Sequence, residues 1–173
     1  MTDLPDWTHP VTFAQAHAGL NLILEPDADL RAAIARTFEV QGVEHLRADV
    51  RTRAVGDDVQ IDLEVTAEFH QQCGVTLEPL TRALSEQLSV RCTETAPPLT
   101  ETGESELTES DLDAPDLIEN GQIDLAGYVI EALALGHDPY ARKPDADFVP
   151  PDTQPEPSPF AVLARLKGQS DAT

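Results

Sequence analysis

The strongest regularity in the chain is a two-residue alternation. Val59, Ile61, Leu63, Val65, Ala67 and Phe69 take every second position, with Gln60, Asp62, Glu64, Thr66, Glu68 and His70 between them. Successive side chains of an extended strand point to opposite faces, so this run predicts a strand with one buried and one wet face. Upstream, HLRADVRTRAV sets Arg47, Asp49, Arg51 and Arg53 against Ala48, Val50, Thr52 and Ala54. Gly56, Asp57 and Asp58 supply turn-forming residues between the two runs, which predicts an antiparallel hairpin. A third run, ALSEQLSVRC, puts Leu84, Leu88, Val90 and Cys92 on one face and Ser85, Gln87, Ser89 and Arg91 on the other. Only Glu86 breaks that pattern, and the run extends the hairpin into a meander.

Leu20, Leu22 and Leu24 alternate with Asn21, Ile23 and Glu25, which predicts another strand. DADLRAAIARTFEV then combines capping acids with Leu30, Ala33, Ile34 and Phe38 at helical spacing. A second helix is predicted in QIDLAGYVIEALAL, where Asp124 can cap it, Leu125, Tyr128, Val129, Ala132 and Leu133 form an apolar stripe, and Gly136 ends it. The elements predict a single α+β domain over residues 1–173, an antiparallel sheet or partly closed barrel with packed helices.

Two stretches depart from this pattern. Residues 94–117 are rich in acids, interrupted by Pro97, Pro98 and Pro115, and contain no basic side chain, which predicts a mobile acidic insertion. Residues 149–173 begin as a proline-rich linker and close on SPFAVLARLKG, with Ser158 as cap, Pro159 at the first helical position and Gly168 as terminator. That short helix carries an apolar edge of Phe160, Leu163 and Leu166, fit either to dock on the sheet or to meet a partner.

Charge narrows the choice of partner. The chain has 32 acidic against 11 Lys and Arg residues, a formal net charge of -21. Nucleic-acid binding draws most of its non-specific affinity from basic side chains that displace counterions, so the balance favours a basic protein instead. The opening MTDLPDWTHP has no basic or apolar leader character, and no apolar run approaches the roughly 20 residues of a spanning helix, so a cytoplasmic protein without a membrane role is expected. Cys73 and Cys92 lie far apart in a chain that needs no disulfide staple, and reduced thiols are expected.

Signals for catalysis are missing. There is no phosphate-cradling glycine loop, nucleophile elbow or paired-histidine helix motif, and His9, His17, His45, His70 and His137 are scattered without metal-ligand spacing. Cys73 as a nucleophile needs an activating neighbour, and His70 sits at an odd strand spacing, on the opposite face. The readings are no enzyme, no metal and no cofactor, with Cys73 a small side chain at a strand end. Arg47, Arg51 and Arg53 share one strand face; they either pair across the hairpin with Asp62, Glu64 and Glu68, or join Arg142 and Lys143 in contacting RNA directly.

Three stretches in order, CGVTLEPL, IDLAGYVIEALALGHDPYARKP and PFAVLARLK, resemble the YceD family of large ribosomal RNA subunit accumulation proteins, over about Leu20 to Lys167. Cys73 stands at the first cysteine of the family's turn, Thr76 where many members have the second, and Leu77, Glu78 and Pro79 continue the pattern, while Val75 replaces a basic residue. The pair is half present, which implies that this turn keeps its geometry without a metal or redox role. The resemblance implies a non-enzymatic ribosome biogenesis factor that supports large-subunit rRNA synthesis, processing or accumulation. Its expected contact is a basic ribosomal protein or pre-ribosomal particle, with direct rRNA contact as the alternative.

Overall fold

A computed structural model describes residues 5–95 and 114–148. The helix expected around Phe160, Leu163 and Leu166, its linker, and residues 96–113 of the insertion lie outside the described residues. The elements run β1 (Pro10–Thr12), α1 (Phe13–His17), β2 (Asn21–Leu24), α2 (Ala28–Thr37), β3 (Gly42–Val55), β4 (Asp58–Gln72), β5 (Pro79–Thr93), β6 (Asp116–Leu117), β7 (Gln122–Asp124) and α3 (Leu125–Gly136).

The three predicted long runs form the centre of a five-stranded sheet of order β2-β3-β4-β5-β6, antiparallel except for the parallel β5–β6 pair. The fold is the expected α+β mixture, and of the two expected sheet forms the open one is present. Its edges, β2 with 4 residues and β6 with 2, are too short to pair with each other and close a barrel. Gly56, at φ 64°, turns β3 into β4 as the first of two turn residues, a position where a side chain would be strained.

Alternation sorts the sheet into faces. Val59, Ile61, Leu63, Val65, Ala67 and Phe69 of β4 are all buried, against Leu46, Ala48 and Val50 of β3 and Leu84 and Cys92 of β5. Val43 and Leu46 are both buried although three positions apart, which a regular strand does not allow. A β-bulge between Val43 and His45 resolves the conflict and pushes Glu44 out to solvent.

The helices cover the inner face. In α2 the Asp27 carboxylate caps Leu30 N–H at 2.9 Å, and Ile34 and Ala35 are buried. Asp124 begins α3 by accepting Ala126 N–H at 3.1 Å and also takes His9 N–H at 2.7 Å. One carboxylate therefore joins the helix to the β1–β7 ribbon, a second, two-stranded sheet. Asp124→Ala is expected to cost about 1–2 kcal/mol, the usual loss for a strong cap, read as a lower urea midpoint with unchanged slope.

The boundary of the acidic insertion is corrected by two residues at its end. Asp116 and Leu117, expected in the mobile 94–117 stretch, form β6 beside Cys92 and Thr93. Ile118 N–H donates to Thr93 O at 2.7 Å, and the Tyr128 hydroxyl donates to Asp116 at 2.9 Å while also meeting Cys92 Sγ at 3.3 Å. Burial raises both the Tyr128 and Cys92 pKa values, so these groups stay protonated at neutral pH. Bonds to a buried strand end outweigh the acidity that the composition reports.

Candidate functional site

The expected family-type turn lies between β4 and β5. Cys73 N–H donates to Glu78 O at 2.8 Å and Leu77 N–H to Cys73 O at 2.9 Å, closing the loop onto itself. Leu77 holds φ 59°, a left-handed conformation that costs a leucine about 1–3 kcal/mol, and Gln72 Nε2 fixes its carbonyl at 2.7 Å. Pro79 then starts β5.

Cys73 is fully buried, and its sulfur sits among donors. Thr76 N–H approaches Sγ at 3.5 Å and Lys143 N–H at 3.4 Å. The Lys143 donor comes from the segment after α3, which is also tied to the turn by Gly74 N–H to Ala141 O at 2.9 Å and by the Lys143–Glu78 ion pair at 2.6 Å. The Thr76 hydroxyl and then the backbone N–H groups of Thr76 and Lys143 bring the thiol from 9.0 to about 6, with burial opposing as a lesser effect. The hydroxyl has one proton to give, and Glu78, at 3.3 Å, competes with the sulfur for it. Lys143 in turn holds the Glu78 carboxyl below its usual range.

The donors around Cys73 thus favour its thiolate form, with a pKa of about 6. Because its folded pKa is depressed, the stabilisation is full above the unfolded value of 9.0, falls as the pH drops, and is gone below about 6. His137, whose pKa burial lowers from 6.5, adds a loss of the same sign on the acid side of that value. Stability is therefore expected to rise with pH from about 6 towards 9. Thr76→Val should flatten that rise by returning the thiol pKa upward, measured by urea midpoints across the range and by thiolate ultraviolet absorbance.

The segment carrying Lys143 is seated by a ring cluster. His137 stands edge-on to Phe38 and Phe69, with ring centres 5.3 and 5.4 Å away. Gln71 Nε2 lies 3.1 Å from His137 Nε2 and donates to Asp138 O at 3.0 Å. These contacts join α2, β4 and the α3 exit directly behind the turn.

On the opposite, wet face the sheet carries Arg47, Arg51 and Arg53 side by side, as expected. Arg47 is gripped through Nε and Nη2 by both Asp49 oxygens at 2.8 and 2.9 Å, and reaches Glu25 at 3.1 Å. This bidentate pairing raises the Arg47 pKa and lowers that of Asp49. Arg53 lies 3.6 Å from Asp62, and Arg51 stands opposite Asp62 in register and lowers the Asp49 pKa as well. Of the cross-strand acids expected to pair with the arginines, Asp62 does so. Glu64 instead faces Asp49, and Glu68 faces His45. A shallow cavity of about 490 Å³ between Asp49, Arg51, Asp62, Glu64, Gln87 and Ser89 is consequently mixed in charge.

His70 belongs to this wet face, with Nε2 2.8 Å from Glu44 and Nδ1 3.2 Å from Thr81, so neither nitrogen serves Cys73. Glu44, Glu68 and His70 hold ligand atoms within 4.8 Å of one another, a grouping that spacing alone did not reveal because the bulge creates it. Among the described residues, Cys73 belongs to no such group.

In comparisons with known proteins, the chain matches no family model, no curated protein and no solved structure.

Proposed function

We propose that this chain is a non-enzymatic ribosome biogenesis factor of the YceD kind, which meets a basic ribosomal protein or pre-ribosomal particle in the cytoplasm and so supports large-subunit rRNA accumulation. The reading rests on the resemblance of CGVTLEPL, IDLAGYVIEALALGHDPYARKP and PFAVLARLK, and on a net charge of -21. The observation that carries the choice of a protein over RNA is the pairing of three of the five candidate cations, Arg47, Arg53 and Lys143, with carboxylates. Asp49 and Glu25 enclose Arg47, Asp62 accompanies Arg53, and Glu78 holds Lys143. A phosphate backbone would have to displace those carboxylates, whereas a cationic protein meets an acidic surface that favours it at long and short range.

The turn at Cys73 has a structural part in this reading, fixing the α3 exit through Lys143 and Ala141. The test is the triple variant Arg47→Glu, Arg51→Glu, Arg53→Glu, checked for folding by circular dichroism. It is expected to retain basic ribosomal proteins stripped from large subunits as well as the wild type does. Strong rRNA binding by the wild type that this variant loses would establish the direct-RNA alternative instead.

A further inference from the structure

Among the described residues, a long stretch of unpaired backbone lies along β5. Its inner side pairs with β4 from Pro79 to Cys92, yet on the outer side, among the described residues, β6 reaches it only at Cys92 and Thr93. The direction of the open groups follows from two bonds. Thr93 O accepts Ile118 N–H on the β6 side, and Val90 O accepts Gln60 Nε2 on the β4 side. Peptide groups alternate along a strand, so the N–H and C=O of Ala83, Ser85, Gln87, Ser89 and Arg91 face away from β4. Such an edge is a template for a further strand.

At the middle of this edge sits Glu86, the residue that breaks the apolar alternation of β5. Its side chain lies against Gly136, the last residue of α3, where a Cβ would collide with the Glu86 Cγ. The helix ends there with no basic residue in its last turn, and among the described residues no cation pairs with Glu86, which shares its place with the negative end of a helix dipole. Leu84 and Leu88 flank Glu86 on the same face of β5. A side chain with an aliphatic stem and a cationic head fits that setting.

We infer that the open edge of β5 binds an extended basic segment of the partner protein by strand addition, with a Lys or Arg of that segment set against Glu86 at the C-terminus of α3. This rests on the cationic-protein reading above and names how such a partner is held. A second copy of the chain is disfavoured, because each copy carries -21 and a symmetric pairing about Glu86 would oppose two carboxylates. Residues 94–113 offer no basic side chain for Glu86.

The probe is a synthetic peptide of alternating valine and lysine, with a valine–glutamate peptide as control, titrated into the full chain and followed by amide hydrogen exchange. The lysine peptide is expected to protect the Ser85, Gln87 and Ser89 amides, and the glutamate peptide to leave them unchanged. Ser85→Pro with Ser89→Pro removes edge-facing donors and leaves the β4 ladder intact, and should weaken binding about tenfold or more. Glu86→Gln, which keeps the backbone donors, should weaken it about tenfold as well. The inference is overturned if the lysine peptide leaves the wild type unprotected, if neither variant weakens it, or if the free chain already protects those amides through another of its own segments. Wild type that captures basic ribosomal proteins while the variants capture them equally well would sink strand addition alone. Wild type that captures none would sink the proposed function itself.

Discussion

Phe69→Ala is expected to lower folding stability by about 3–5 kcal/mol, the range for removing a buried phenylalanine. Phe69 is 2% exposed, lies opposite Val43 and Arg82 near the end of β4, and stands 6.1 Å from the Phe38 ring and 5.4 Å from His137. Its loss leaves a void between β4, α2 and the α3 exit that the rigid sheet fills only in part. The consequence reaches the turn, because His137 begins the segment whose Lys143 N–H serves the Cys73 sulfur. The Cys73 pKa should therefore move up from about 6 in the same variant. Urea unfolding with an unchanged slope measures the first effect and thiolate absorbance the second; a loss below about 1 kcal/mol would mean that the ring is not a keystone of this packing.

Association with the proposed cationic partner is expected to slow about a hundredfold between roughly 0.01 M and 1 M salt, with dissociation changing far less. A net charge of -21 projects an attractive field whose reach contracts from about 30 Å to about 3 Å over that range. Close contacts survive screening, whereas steering does not. Stopped-flow association with a purified basic ribosomal protein measures this directly, and a drop smaller than about threefold would show that the acidic surface does not guide encounter.

The central sheet was legible because β4 and its neighbours each keep one wet face, so a period of two is written in the residues themselves. The β1–β7 ribbon and α1 are too short for any period, although Thr12 and Gln15 do spell the capping box that starts α1. The Arg47 pairing with Asp49, two positions on along the same face, lay within reach of the sequence pattern. Its second partner, Glu25, arrives from the neighbourhood of β2, and the Lys143 donor to Cys73 crosses 70 positions, so neither leaves a local trace. The spacing of Val43 and Leu46 contained the one hint of the bulge that brings Glu44 to His70. Composition misplaced Asp116 and Leu117 because acidity describes a stretch and hydrogen bonds act on single residues.

Whether this surplus of carboxylates serves cationic protein or stands beside RNA-binding arginines is the central question. Equilibrium binding of the full chain at about 0.15 M salt, to extracted large-subunit proteins in one cell and to naked large-subunit rRNA in another, decides it. The expected result is retention of basic ribosomal proteins and no measurable hold on the RNA. Tight binding to the naked RNA, with the basic proteins ignored, would contradict it.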